Sequence, residues 1–323
     1  MSRLGTGRRK QRGAALLTAM LIVSLVASLA GAMVWRQYRA VQIEAAERAR
    51  AQSAWILQGA LDWARLILRE DARANRSEPV DHLGEIWAVP LAEARLSTFL
   101  AADRNNNSAA DEGPEAFLSG SLADAQAQYN LRNLLRAADP ALELRTLERL
   151  CESAGLPADT AARINTALRQ AFAEGGENTG ADAPLRPQSL EQLQWLGLPA
   201  ESVERLRPLL TLLPTPTPVN LNTAPREVIA ALFDGMDLAT AQRMVQQRQN
   251  SPLRSLDEAR TQLPSSIVLS AERASVASSH FIVSGRLRLE ERVLEERSLI
   301  RRRDLEMQVI SRERSQLQLK AGR

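Results

Sequence analysis

Lys10-Gln11-Arg12-Gly13, followed by Ala14-Ala15-Leu16-Leu17-Thr18, opens the stretch that decides the fold, because no charged residue occurs from Ala14 through Trp35. As a helix those 22 residues extend about 33 Å, enough to cross the hydrocarbon core of a bilayer. Upstream lie Arg3, Arg8, Arg9, Lys10 and Arg12 with no acid among them. Such a cationic leader stays on the cytoplasmic side, so the bulk of the chain is expected on the far side. Trp35 and Tyr38 fall where interfacial aromatic anchors belong, with Arg36 and Arg39 beside them at headgroup depth.

A secretory signal peptide is the competing reading, since Ala30-Gly31-Ala32 has the small-x-small form of a cleavage site. Signal sequences have a shorter apolar core, however, and here helical character runs on past it. From Ala40 to Glu70 there is no Pro, and Gly59 is the only Gly. Trp55, Ile56, Gly59, Trp63, Leu66 and Ile67 recur at helical spacing, and Glu44 and Arg48 form an i,i+4 pair. One helix is therefore expected to continue through residues 36–70, amphipathic in its outer half.

The length of 323 residues suggests about two domains. An apolar share of 45% with 24% charged residues excludes wholesale disorder. The net charge of +3 comes from the leader: after Gly13 there are 36 basic and 38 acidic residues. The basic pI near 9.6 thus says nothing about the body's partners. Cys151 is the single cysteine, which excludes an intramolecular disulfide, and Leu147 and Leu150 beside it mark a helix packing face. His82 and His280 are far apart and are read as ordinary loop or strand residues.

The basic-Gly-apolar junction resembles the type IV prepilin junction. The resemblance implies cleavage between Gly13 and Ala14 by the prepilin peptidase, methylation of the new terminus, and retention of the apolar helix in inner-membrane lipid. Most pilins carry Glu at the fifth mature position, whereas this chain has Thr18. A carboxylate in the bilayer is costly unless paired, and its absence resembles the K-type minor pseudopilin of type II secretion (general secretion pathway protein K).

Past Asp71 the pattern changes. Leu91 to Leu100 and Glu115 to Leu122 read as strands. In the strand from His280 to Glu290, Phe281, Val283, Leu287 and Leu289 share one face, and Val293 to Arg301 and Met307 to Arg312 read as its antiparallel partners. Residues 130–275 are instead Leu/Ala/Arg/Glu-rich helices separated by Gly-Leu-Pro turns. Ala154-Gly155-Leu156-Pro157-Ala158-Asp159 is echoed by Leu196-Gly197-Leu198-Pro199-Ala200-Glu201, and more loosely by Asp234-Gly235-Met236-Asp237. In the first two the Gly serves a tight turn, the Pro opens the next helix and the acid sits in its first turn. A helix-hairpin scaffold is the simplest reading. Pro214-Thr215-Pro216-Thr217-Pro218 reads as a stiff connector, and Ser255-Leu256-Asp257-Glu258 as a capping box.

Further stretches extend the resemblance. Asp124-Ala125-Gln126-Ala127-Gln128-Tyr129-Asn130-Leu131-Arg132-Asn133-Leu134, Pro184-Leu185-Arg186-Pro187 and Asn220-Leu221-Asn222-Thr223-Ala224-Pro225 resemble segments of K-type pseudopilins, in family order. The implied fold is α+β: a pilin-like long N-terminal helix on an antiparallel sheet, interrupted by a large all-α helix-hairpin insert. The corresponding division is leader 1–13, transmembrane helix 14–35, periplasmic helix 36–70, pilin-like domain 71–129 and 276–312, insert 130–275, and tail 313–323. The resemblance implies a minor pseudopilin placed with I- and J-type minor pseudopilins at the pseudopilus tip, initiating assembly and supporting secretion across the outer membrane.

Three other readings compete with this one. The segment from Val219 to Leu263 also resembles the helix-hairpin-helix of membrane-anchored competence DNA receptors. Its five Arg face five acids, Asp234 and Asp237 flank the hairpin Gly235, and residues 131–275 hold 15 basic against 17 acidic residues. Nucleic-acid binding depends on neutralising phosphates, so no nucleic-acid partner is expected. No enzyme is expected either, because no nucleophile elbow or phosphate loop occurs. For calcium, Asp103-Arg104-Asn105-Asn106-Asn107-Ser108 has Ser108 and Pro114 where an EF-hand loop needs Gly and Glu. K-type pseudopilins carry a calcium loop near the position of residues 171–187, where Glu174, Glu177 and Asp182 remain as weak candidates; no other cofactor is expected.

Overall fold

The uncharged opening stretch and its continuation form one helix in the computed structural model, α1 at Gln11–Ala74. The structure describes residues 11–96, 116–135, 139–173, 184–265, 267–289 and 292–318, with backbone alone for 11–13 and 316–318. The portion of α1 up to Ile56 is one unit and the chain from Leu57 onward is another. The helix runs four residues beyond the expected Glu70, because no breaker intervenes before Asn75.

From Leu57 onward α1 is amphipathic, but its buried face is not the expected one. Leu57, Leu61, Ala64 and Leu68 are buried, at the 3–4-residue spacing of one helix stripe. Trp63 and Leu66 stay about half exposed, and Trp55 is 76% exposed. The helix has two apolar stripes, and close approach to the sheet selects the slimmer leucine one. An ideal Cβ on Gly285 would stand 3.2 Å from Leu57 Cδ2, which leaves no room there for an indole.

The sheet has five antiparallel strands: β1 Leu91–Arg95, β2 Ala116–Asp124, then β7 His280–Leu289, β8 Arg292–Arg303 and β9 Glu306–Gln318, in the order β1-β2-β7-β8-β9. Phe281, Val283 and Leu287 of β7 are buried on one face, as the alternation predicts. Trp87 meets Phe281 edge to face, with centroids 5.3 Å apart, in a core that includes Leu61, Leu68, Ile300 and Met307. β9 extends six residues past the expected Arg312, so residues 313–318 belong to the sheet and not to a tail. A register shift explains the miss: Leu299 pairs with Ser311 and Ile300 with Val309. Ile310 is thus an extra residue that breaks the period-2 pattern.

β2 and β7 are neighbours in the sheet, and Asp124 lies opposite Phe281. Residues 125–279 therefore occupy the place of a hairpin turn, and their two ends are already side by side. Short parallel pairs clasp this insertion: β3 Tyr129–Asn130 with β4 Leu210–Thr211, and β5 Val219–Asn220 with β6 Ala274–Ser275. Apart from these two-residue ladders, the described part of the insertion is helical: α2 Pro140–Ser153, α3 Thr160–Phe172, α4 Ala200–Leu206, α5 Arg226–Leu232, α6 Leu238–Asn250 and α7 Leu256–Gln262. Its core is leucine-rich and contains Leu147, Leu150 and Cys151. Burial pushes the Cys151 thiol up to about 12, with Glu148 adding to it, which suits a filler side chain and not a nucleophile.

The echoed glycines have left-handed backbones: Gly155 at φ +67°, Gly197 at +84° and Gly235 at +79°. Pro199 precedes α4 directly, as expected, but α3 begins three residues after Pro157, with Asp159 at its N-cap. Half of the expected capping box forms at α7: Ser255 Oγ accepts from Glu258 N–H at 3.1 Å, while the Glu258 carboxylate accepts from Arg254 N–H at 2.8 Å, one residue before the N-cap.

Candidate functional site: the apolar helix and the junction of sheet and insert

The expected membrane segment lies wholly within α1, and the helix from Ala14 on is long and apolar enough to cross a bilayer. Leu16, Leu21, Val26, Trp35 and Tyr38 are all more than half exposed, as side chains meant for lipid or for neighbouring helices must be. Thr18 turns its hydroxyl back on its own helix, donating to the carbonyls of Ala14 at 3.1 Å and Ala15 at 3.0 Å. Where a glutamate would need an outside partner, this side chain is satisfied internally. The Arg39 guanidinium stands 5.7 Å from the Trp35 ring centroid. Glu44 and Arg48 pair at 2.6 Å as their spacing predicts. The bond between Gly13 and Ala14 falls in the first turn of the helix.

The second site is the neck where the chain leaves β2 and returns to β7. Asp124 is buried, and its Oδ2 accepts from Thr223 Oγ1 at 2.6 Å, Ser278 Oγ at 2.6 Å and Asn220 Nδ2 at 3.0 Å, while Oδ1 accepts from Gln126 N–H at 2.7 Å. Burial pushes Asp124 up to about 6, opposed by these hydrogen bonds. Asn220 also donates to the Asp81 carbonyl at 3.0 Å, and Asn222 holds Leu253 by both its N–H and its carbonyl. Gln126 accepts from Ser279 N–H at 2.7 Å and donates to the Pro218 carbonyl at 2.9 Å. The stiff connector from Pro214 to Pro218 is thereby also pinned. Asn130 donates to the Thr215 carbonyl at 2.7 Å, and Asn133 brackets the backbone of Thr217 at 3.0 and 3.1 Å.

Next to this network, Arg302 of β8 bonds Asp71 at 2.9 Å, the Ser278 carbonyl at 2.7 Å and, closely, Asp81. Asp71, Asp81 and Glu85 each bring an oxygen within 4.8 Å of the others, a geometry that would suit a cation. Arg302 already supplies positive charge there, and Glu85 accepts from Asn75, His82 N–H and Trp87 Nε1. Burial first, then the charges of Glu85 and Asp81, push Asp71 up to about 7. Burial likewise raises Asp81. His280, at the start of β7, is buried and pushed down to about 4, by burial first and then by Arg301. None of Asp71, Asp81, Glu85 or Arg302 stands out in the sequence, since each sits in an ordinary charged stretch.

The calcium candidates Glu174, Glu177 and Asp182 lie outside the described residues, as does the loop from Asp103 to Pro114. The acids of the hairpin have structural work: Asp234 pairs with Arg145 at 3.1 Å and with Arg149, and Asp237 caps α6 by accepting from Thr240 N–H at 2.7 Å.

A long apolar N-terminal helix, an antiparallel sheet and a helical domain inserted between neighbouring strands define a pilin-like subunit. Two family models described as type II secretion system (T2SS) protein K match residues 127–215 and 219–277. The chain is 29% identical over 274 residues to type II secretion system protein K of Pseudomonas aeruginosa, covering 78% of this chain and 76% of that one. It is 25% identical over 337 residues to the protein of that name from Pectobacterium carotovorum, covering 95% and 97%. A chain in the crystal structure of the GspK-GspI-GspJ complex from the enterotoxigenic Escherichia coli type 2 secretion system shares the fold, with TM-score 0.63, 20% identity, and 84% and 98% coverage. By these matches the chain is similar to members of the type II secretion system protein K family.

Proposed function

We propose that this chain is a minor pseudopilin, cut between Gly13 and Ala14 by the prepilin peptidase and held in the inner membrane by residues 14–35 with its N-terminus cytoplasmic. It assembles with I- and J-type minor pseudopilins at the tip of a periplasmic pseudopilus, where it initiates assembly and supports protein secretion, without catalysis of its own. One observation carries this reading: an uncharged stretch opens a helix that runs unbroken to Ala74, in a chain whose body matches the protein K family. The exposed Trp55, Trp63 and Leu66 support it, because apolar side chains left on such a helix suit packing against other helices. So bulky an insert is easiest to place where no subunit stacks above it. The presence of GspI and GspJ beside GspK in the Escherichia coli complex supports the choice of partners.

N-terminal sequencing of the membrane-extracted protein tests the processing step. A product beginning at Ala14 is expected, and Gly13→Val is expected to leave the leader on. A product beginning near Met33 would make this an exported protein without an anchor. Co-purification of tagged chain with sheared filaments tests the placement: labelling at one end supports the tip, and labelling along the length overturns it.

A further inference from the structure

We infer that the cleft formed by Arg132, Phe172 and Arg186 in the insert is a docking site for an acidic polypeptide segment of a partner protein. This goes beyond the assignment of a filament subunit, and it holds whether or not the leader is removed. The cleft has a volume of about 490 Å³ and is lined also by Leu135, Pro187 and Gln188. The Arg132 guanidinium carbon lies 3.7 Å from the Phe172 ring centroid and that of Arg186 lies 5.9 Å from it. Backbone carbonyls fix both side chains: Arg132 Nε donates to Leu213 at 3.3 Å, and Arg186 Nε donates to Ala171 at 3.0 Å and its Nη2 to Ala173 at 3.4 Å. The terminal nitrogens of Arg132 and Nη1 of Arg186 have no hydrogen-bond partner among the described residues.

Arg132 and Arg186 converge on one aromatic ring without a counter-charge among the described residues. Arg145, Arg149, Arg205 and Arg207 of the same insert all reach carboxylates. Arg132 and Arg186 form no ion pair among the described residues, and Arg132 is held below its ordinary value by burial first and by the charge of Arg186 second. Two like charges oriented in advance, that of Arg132 partly desolvated, are matched by carboxylates, which take charge-assisted hydrogen bonds from a guanidinium fork. A polypeptide is favoured over a nucleic acid by charge. The insert's 15 basic and 17 acidic residues leave it net acidic, which disfavours a dense polyanion.

The test uses the full chain in detergent micelles and a fluorescein-labelled hexaglutamate peptide, read by anisotropy at low salt, with hexaglutamine as the neutral control. Saturable binding of hexaglutamate alone is expected. The double variant Arg132→Gln/Arg186→Gln should weaken it about tenfold or more, and Arg132→Lys should weaken it less. Melting curves must show both variants folded; if the double variant does not fold, Arg132→Lys and Arg186→Lys serve instead. No saturable binding, or equal binding by the variants, overturns the proposal. So does tighter binding of a single-stranded oligonucleotide of equal charge, which would mark a polyanion site. Binding seen only after Glu174→Gln, Glu177→Gln and Asp182→Gln also overturns it, because the occupant would then be the chain's own acidic segment.

Discussion

Asn220 donates to the Asp124 carboxylate over 3.0 Å, and this one bond ties the last residue of β2 to the middle of a domain that begins after it. The same amide nitrogen reaches the Asp81 carbonyl and Ser278 Oγ, both at 3.0 Å. The insert is thus joined to the sheet by buried hydrogen bonds as well as by two covalent strands. Such a network orients what it joins, because every alternative arrangement leaves a buried polar group without a partner.

Replacing Asn220 by Ala removes one acceptor and one donor group from this junction. A loss of about 2–3 kcal/mol is expected, from the desolvated groups left unpaired. Asn220→Asp should cost more, since it sets a second buried carboxylate against Asp124. Urea unfolding of the three proteins checks the order; a neutral Asn220→Ala would show that the network does not stabilise the neck.

The carboxylates beside the neck give stability a direction with pH. Asp71, raised to about 7, and Asp124, raised to about 6, both bind protons more tightly folded than unfolded. Their contribution is complete below the unfolded value near 4 and is lost as pH rises through 6 and 7. His280, pushed down to about 4, acts oppositely: its contribution is present above about 6.5 and is lost as pH falls toward 4. With these two carboxylates, and Asp81 shifted the same way, against His280, stability should decline from pH 5.5 to pH 8. Asp71→Asn should flatten that decline and His280→Gln should steepen it. Unfolding midpoints at half-unit pH steps test this, and an unchanged profile in Asp71→Asn would refute the assignment.

Gly120 and Gly285 face each other across β2 and β7, yet they differ in what a methyl group would strike. At Gly120 it would meet the Ser284 backbone oxygen at 3.0 Å, and at Gly285 the tip of Leu57 at 3.2 Å. A backbone atom in a sheet cannot retreat, whereas a leucine end can rotate. Gly120→Ala is therefore expected to lose about 1–3 kcal/mol and Gly285→Ala clearly less. Thermal melts of the two variants side by side decide it; equal losses would mean that the helix is as unyielding as the strand.

Much of this architecture is written locally. The uncharged run from Ala14, the alternation of Phe281, Val283 and Leu287, and the glycines at 155, 197 and 235 each report a short-range constraint, and each is where the pattern puts it. The Asn-Leu-Asn-Thr-Ala-Pro stretch is conspicuous in the sequence, but its work is not readable there, because its partners Asp81, Asp124 and Ser278 lie 58 to 139 residues away from Asn220. The face of α1 is misread for a related reason. Helical spacing marks both Trp63 and Leu61 as apolar, and only the nearness of the sheet decides that Leu61 goes inside. The bulge at Ile310 hides the end of β9 in the same way.

The echoed turns allow a last and sharper test. Arg163 donates to the carbonyl of Gly197 at 3.0 Å, and Arg205, its counterpart in the second copy, donates to that of Gly155 at 3.5 Å. Each copy thus caps the turn of the other. Both glycines have φ values that a Cβ makes costly, so Gly155→Ala and Gly197→Ala should each lose about 1–2 kcal/mol. The looser third copy has Gly235 at φ +79° but lacks such a partner among the described hydrogen bonds. Gly235→Ala should show the backbone cost alone. Arg163→Ala should therefore lower stability further in the parent than in Gly197→Ala, where the turn has already shifted, while adding independently to Gly235→Ala. A double-mutant cycle across Arg163 with each glycine measures this coupling; equal coupling to Gly197 and Gly235 would show that the two copies do not brace each other.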